Sequence, residues 1–283
     1  DPFRLDGKTA LVTGANTGLG QGIAVALAQA GADIVAVGTS APDETAAQVS
    51  ALGRRFLAIR ADLSSIAPVD EIVAQTLAAF GRLDILVNNA GIIRRADAVD
   101  FSEADWDAVM DVNLKTAFFL SQAAGKHMLA AGRGKIINIA SMLSFQGGIR
   151  VPSYTASKHG IAGITKLLAN EWAGKGVNVN AIAPGYMATN NTVALRADEN
   201  RNREILGRIP AGRWGSPDDM GGAAVFLASA ASVALAQGAG FPSKNLTFIV
   251  PFAAGSATDQ LARAIGQSVT EQTKQPVVVD NKA

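Results

Sequence analysis

Short apolar runs, separated by stretches of helical length, constrain this chain more than any other feature. The runs are TALVT (9–13), DIVAVG (33–38), FLAIRA (56–61), LDILVN (83–88), KIINIA (135–140) and VNVNAI (177–182). Most are continuously apolar and rich in Val and Ile, the pattern of parallel strands covered on both faces. Between them lie segments such as LGQGIAVALAQAG and VDEIVAQTLAAFG, with Gly31 and Gly81 where helix C-caps belong. Strand, helix and strand repeated in this way predict an α/β fold, a Rossmann-type doubly wound parallel sheet. Such sheets bind ligands beyond the carboxyl ends of their strands, so the chemistry is sought there.

Composition narrows the choice. The chain has 283 residues, 48% hydrophobic and 17% charged, enough apolar material for a sizeable core and too much for disorder. A net charge of +1 without blocks of like charge argues against a nucleic-acid or membrane surface. There is no cysteine, which excludes disulfides and thiol chemistry. The two histidines, His127 and His159, have no partners at ligand spacing, so no metal is expected. The charged start DPFRLDGK is not a signal peptide, and the cytoplasm is the expected location. The uncharged stretch after Asp219, up to Lys244, is rich in Ala, Ser and Gly and reads as a buried helix followed by a loop.

After the first run comes TGANTGLG (13–20), with glycines at 14, 18 and 20. Glycine allows a tight turn and close backbone approach, and the following helix N-terminus offers free N–H groups to a pyrophosphate. Gly14, Asn16, Thr17, Gly18, Leu19 and Gly20 are therefore candidate cofactor contacts. The second run ends Gly38-Thr39-Ser40, with neither the acid that binds a ribose 2′-OH nor an arginine for a 2′-phosphate. With no basic residue in the glycine loop either, NAD(H) is favoured and NADP(H) stays open. Asp62-Leu63 and Asn88-Asn89-Ala90-Gly91 follow the third and fourth runs; turn chemistry alone is an alternative for Asp62.

SYTASKHG (153–160) holds Tyr154 and Lys158 four residues apart, on one face of a helix. A free tyrosine has a pKa of about 10, too high for efficient proton transfer at neutral pH. A neighbouring ammonium is expected to lower it. Ser141, thirteen residues before Tyr154 and just past the fifth run, is placed to hold a substrate oxygen as charge develops.

TGxxxGxG, NNAG, a serine and YxxxK stand here in the order and spacing of the short-chain dehydrogenase/reductase family, which this chain resembles from about residue 3 to 232. The resemblance implies a single Rossmann-type domain and a Ser141, Tyr154, Lys158 and Asn113 catalytic set. It implies Asp62, Leu63, Asn89, Ala90, Gly91, Pro184, Gly185 and Thr189 as further cofactor contacts, with Tyr154 and Lys158. Within the family, SMLSFQGGIRVPSYTASK, NVNAIAPGYMATNNT and IPAGRWGSPDDM resemble members acting on deoxy keto-sugar acids. Those members interconvert 3-deoxy-D-glycero-2,5-hexodiulosonate and 2-keto-3-deoxygluconate with a nicotinamide cofactor. For a substrate with a carboxylate, Arg94, Arg95 and Arg150 are candidate partners, a surface or subunit role being the alternative. Gln146 and Met187 are further candidate substrate contacts, and residues 186–213 are expected to form a lid.

The family pattern stops near residue 232, without its usual last strand. The remainder, 233–283, contains FPSKNLTFIVPFAAGSATDQLARAIGQ and QPVVVDNK, which resemble the start of a tripartite-tricarboxylate receptor, a solute-binding protein. The chain thus reads as a dehydrogenase domain (1–232) with a foreign β-α-β segment (233–283). LTFIV (246–250) is expected to fill the empty sheet edge with PVVVD (276–280) beside it, since a bare edge invites aggregation. The family's subunit contacts often use the missing end, so a homo-oligomer, tetramer or dimer, is expected to be weakened.

Overall fold

Six of the apolar runs become the strands of one parallel sheet. They are β1 (Thr9–Thr13), β2 (Asp33–Gly38), β3 (Phe56–Arg60), β4 (Ile85–Asn88), β5 (Gly134–Ile139) and β6 (Val177–Ile182), in the order β3-β2-β1-β4-β5-β6. This is a computed structural model of the chain, and it describes residues 1–230, 246–250, 263, 267, 269–271 and 277–281. The order reverses between β1 and β4, which opens a crevice there at the carboxyl ends. The crossovers carry α1 (Gly18–Gln29), α2 (Asp43–Ala51), α3 (Val69–Phe80), α4 (Glu103–Met110), α5 (Thr116–Ala130) and α6 (Pro152–Trp172). After β6 come α7 (Val193–Ala197), α8 (Glu199–Leu206) and α9 (Gly221–Ala228).

The period-2 geometry of a strand sends alternate side chains to opposite faces. Leu11, Val35, Val37, Leu86 and Ile136 pack against Ile72 of α3, Leu120 and Met128 of α5, and Leu168 and Trp172 of α6. Ala10, Val12, Ile34, Ile85, Val87 and Ile137 pack on the other face against Ile23 and Leu27 of α1 and Ala224 of α9. Each fully buried aliphatic side chain contributes about 1.5–3 kcal/mol relative to exposure. Small residues on α1 and α9 let those helices lie close to the sheet.

Strand ends differ from the apolar runs by one or two residues. The registered pairing of the LDILVN run begins at Ile85; just before it, Asp84 donates its N–H to the Thr9 carbonyl and accepts the Thr9 N–H on its carboxylate, both at 3.0 Å. Gly81 terminates α3 in the left-handed region at φ 72°, as a C-cap glycine should. Of the uncharged stretch, Gly221–Ala228 is helical and the remainder lies outside the described residues. Among the described residues no helix is long and apolar enough to cross a membrane.

The chain divides into two compact units, residues 1–230 and 231–283. In the second, β7 (Leu246–Val250) pairs in parallel with β8 (Val277–Asn281), from Leu246 opposite Val277 to Val250 opposite Asn281. The two runs lie side by side as expected, but they form their own two-stranded sheet. The expectation that LTFIV fills the edge of the large sheet is therefore corrected. Two parallel strands adjacent in sequence and joined by a crossover find each other first, and that local pairing wins over the distant edge. Among the described residues, β6 pairs only with β5.

Candidate active site

The glycine turn is stitched to β4 by a residue the sequence reading passed over. The Thr13 hydroxyl accepts hydrogen bonds from the Asn89 N–H at 3.0 Å and the Ala90 N–H at 2.9 Å. The Asn89 side-chain amide donates back to the Thr13 carbonyl at 2.9 Å and the Gly14 carbonyl at 3.3 Å. Asn89, Ala90 and Gly91 thus shape the crevice partly by holding the turn. Gly14 and Gly18 adopt φ 66° and 59°, which favours glycine. A Cβ on Gly20 would overlap the Gly14 carbonyl, so the backbone closes tightly there. Helix α1 starts without a side-chain cap from Thr17 and without an acid in its first turn. Its free N–H groups and partial positive charge suit the pyrophosphate of a dinucleotide.

The neighbouring candidates fall around this turn. The Asn16 amide donates to the Ser40 hydroxyl at 2.7 Å, joining the loop to the end of β2. Leu19 is half-buried in the first turn of α1. Asp62 accepts from the Ser64 N–H at 2.9 Å, so its carboxylate makes a turn, while Leu63 sits in the core. The Pro184 carbonyl accepts from the Met142 N–H at 3.0 Å, which ties Pro184-Gly185 to the turn after Ser141. Thr189 lies over the glycine loop, its side chain 3.6 Å from where a Gly18 Cβ would stand.

At the end of β5, Ser141 caps the short turn Met142–Ser144, accepting from the Leu143 N–H at 3.1 Å. Helix α6 begins with Pro152 in its first turn, where the missing N–H costs nothing. Tyr154 and Lys158 follow on its inner face. Lys158 is buried, donates to the Ile139 carbonyl at 2.6 Å, and lies 5.5 Å from the Tyr154 ring centroid. Burial pulls its ammonium down from 10.5 to about 8. The Tyr154 phenol behaves differently from the expectation. Burial pushes it above 10, opposed by a side-chain hydrogen bond with Ser141 and by the charge of Arg95. Desolvation of the phenolate outweighs the Ser141 hydrogen bond and the Arg95 charge, and the Lys158 ammonium is engaged by a strand carbonyl.

Asn113 occupies a π-helical turn, Asp111–Lys115, between α4 and α5. Such bulges are frequent at functional sites. Its carbonyl oxygen accepts from the Ile92 N–H at 2.8 Å, and its amide donates to the Ile92 carbonyl at 2.9 Å and the Ser157 hydroxyl at 3.3 Å. Asn113 thereby fastens the loop after β4 to the helix that carries Tyr154. Deeper in, the Asn88 amide donates to Ser121 and to Asn138, both at 2.8 Å. The Asn138 amide donates to Thr165 on α6 at 2.9 Å. The visible signal for this network was an asparagine ending the run LDILVN and another inside the run KIINIA.

The proposed substrate contacts scatter. Arg94 pairs with Asp105 at 3.2 Å, and Arg150 pairs with Asp97 at 3.0 Å from a backbone at φ 62°. Gln146 is exposed in the loop after Ser141. Met187 is buried and packs on Gly215, while the Ala188 N–H donates to the Gly215 carbonyl at 2.7 Å. Arg95 is exposed and donates to the Asn191 carbonyl at 3.1 Å. The expected lid consists of the turn Asn190–Thr192 and helices α7 and α8, with Tyr186 edge-on to Trp214 at 5.6 Å.

The profile of the short chain dehydrogenase family matches residues 8–200. The 2-dehydro-3-deoxy-D-gluconate 5-dehydrogenase of Escherichia coli (strain K12) is 65% identical over 231 residues, 81% of this chain and 91% of that protein. The enzyme of the same name from Bacillus subtilis (strain 168) is 59% identical over 233 residues, 82% of this chain and 91% of that one. A crystal structure from Agrobacterium tumefaciens, described as a candidate 2-deoxy-D-gluconate 3-dehydrogenase with bound NADP, is 63% identical. It superimposes with a TM-score of 0.78, covering 82% of this chain and 93% of its own. A profile match over more than half of the chain, joined to relatives this similar, establishes that the chain belongs to the short-chain dehydrogenase family of oxidoreductases.

Proposed function

We propose that this protein interconverts 3-deoxy-D-glycero-2,5-hexodiulosonate and 2-keto-3-deoxygluconate, the reaction of a 2-dehydro-3-deoxy-D-gluconate 5-dehydrogenase. The observation that carries the reading is the 65% identity to an enzyme of that name over 231 residues. The glycine turn and the start of α1 would hold a nicotinamide cofactor, which would supply or accept the hydride exchanged with the substrate carbonyl carbon. Tyr154 keeps its proton at neutral pH and gives it to the substrate oxygen as the alcohol forms. Ser141 donates a hydrogen bond to the same oxygen, and the Lys158 ammonium stabilises the phenolate left behind. Asn113 holds the loop and α6 in register so that these groups converge.

For the cofactor we infer use of NAD(H) or NADP(H). Gly38-Thr39-Ser40 offers no acid to repel a 2′-phosphate and no base to attract one. The bound NADP of the Agrobacterium relative supports admission of the phosphorylated form. Residues 233–283 are read as an appended fragment of a solute-binding receptor, separate from the dehydrogenase portion. The parallel pairing of β7 and β8, with helical residues 269–271 between them in sequence, is the β-α-β order this reading needs.

The test is direct. NADH and NADPH absorbance is followed with the diketo acid, using the full chain and Tyr154→Phe. We expect turnover that falls by at least ~10²-fold in the variant, with its fold by circular dichroism unchanged. No turnover from a folded wild-type chain with either cofactor would overturn the substrate reading.

A further inference from the structure

The segment 186–213 carries five arginines, and one of them stands apart. Arg201 pairs with Glu204 at 2.6 Å, and Arg213 with Asp219 at 2.7 Å. Arg203 donates to the Asn200 side chain at 2.8 Å, and Arg208 is exposed. Arg196 of α7 is half-buried, and one terminal nitrogen donates to the Thr189 carbonyl at 3.3 Å. Its Nε is buried without a hydrogen-bond partner, and no carboxylate lies within ion-pair distance of it among the described residues. Asp198, two positions on, has its carboxylate turned to the Asn200 and Arg201 N–H groups that open α8, both at 3.0 Å. Withdrawing a cation from water without a counter-charge is unfavourable, so the environment of Arg196 calls for an anion.

The glycine turn supplies the second, independent observation, a deficit of positive charge. The pyrophosphate of a dinucleotide is doubly anionic, whereas a helix N-terminus offers roughly half an elementary charge. Residues 13–20 contain no lysine or arginine. Thr189 brings the two observations together. Its side chain lies 3.6 Å from where a Gly18 Cβ would stand, and its carbonyl holds Arg196. Its N–H donates to the Thr192 hydroxyl at 3.1 Å, and that hydroxyl donates to the Met187 carbonyl at 2.7 Å, so the turn keeps its shape. A single residue thus separates an unpaired guanidinium from the turn that lacks a cation.

We propose that Arg196 is a cofactor-binding residue that meets the pyrophosphate from the side of α7 and supplies the charge missing from the glycine turn. This rests on the dinucleotide reading of the crevice. A guanidinium has five N–H donors, so the bond to Thr189 leaves most of them for phosphate oxygens. Its planar fork matches those oxygens in pairs, which an ammonium does not do.

The experiment measures dissociation constants of NADH, ADP and adenosine by calorimetry, with NMR titration for adenosine, on the full-length wild type, Arg196→Gln and Arg196→Lys. ADP carries the pyrophosphate and adenosine does not. We expect Arg196→Gln to bind NADH and ADP ~10-fold more weakly, with adenosine unchanged. Arg196→Lys keeps the charge and loses the fork, so its loss for ADP should be smaller, roughly threefold, again with adenosine unchanged. The lysine variant decides the matter by itself if the glutamine variant does not fold. Equal losses for ADP and adenosine would overturn the assignment, because an arginine that only shapes the turn through Thr189 cannot sense the phosphates. Unchanged ADP affinity in a folded variant would also overturn it. A wild type that binds neither NADH nor NADPH would instead count against the dinucleotide reading itself.

Discussion

At the scale of single residues, the balance of burial and charge sets the chemistry. Tyr154 is protonated throughout the neutral range, and Lys158 loses its proton near 8. Below that pH the ammonium stabilises the phenolate formed when Tyr154 donates; above it this help is gone. The rate of carbonyl reduction should therefore stay nearly level from about pH 6 to 7 and fall with a midpoint of about 8. A kcat/KM profile that stays level to pH 10 would show that Lys158 keeps its charge in the working enzyme. Lys135 is also lowered to about 8, but it stands near the amino end of β5, away from the site, and should leave this profile unmoved. YxxxK was plain in the sequence; the opposing directions of the two pKa values were not, because both depend on burial.

At the scale of elements, the site depends on how α6 is held to the sheet. Asn138 is fully buried, and its side chain bridges Asn88 of β4 and Thr165 of α6. Asn138→Ala leaves Thr165 without its donor and opens a polar gap in a dry interior. Urea unfolding should show a loss of about 1–3 kcal/mol with the slope unchanged. A loss below about 0.5 kcal/mol would mean that the network adds nothing net to the fold. The glycine turn shows the same dependence between elements. Thr13 and Asn89 lie 76 positions apart in sequence, yet their hydrogen bonds fix the cofactor turn against β4. The strands and glycines announced the turn, but the threonine that anchors it looked like an ordinary strand residue.

At the scale of the whole molecule, every residue of the proposed proton path lies in the unit 1–230. A chain ending at Ala230 should fold and keep the turnover of the full chain. Steady-state assays and urea unfolding of the shortened chain check both points. A folded but inactive short chain would show that residues 231–283 complete the site. The sheet order was readable from alternating runs, since parallel strands with helical crossovers admit few arrangements. LTFIV pairs with PVVVD as expected but does not join the edge of the large sheet, because an open edge and a nearby parallel strand offer the same backbone hydrogen bonds.

The sequence by itself determined the doubly wound sheet, the glycine turn and the Ser141, Tyr154 and Lys158 set. These are local features, written in apolar periodicity and in short spacings along one helix or one turn. Tertiary structure alone decided the partners of Arg94 and Arg150, because folding brings Asp105 and Asp97 beside them. It also decided that burial raises the tyrosine and lowers the lysine, and that β7 and β8 form a sheet of their own. Charge pairing, desolvation and strand choice depend on which distant groups meet, and a linear pattern does not contain that information.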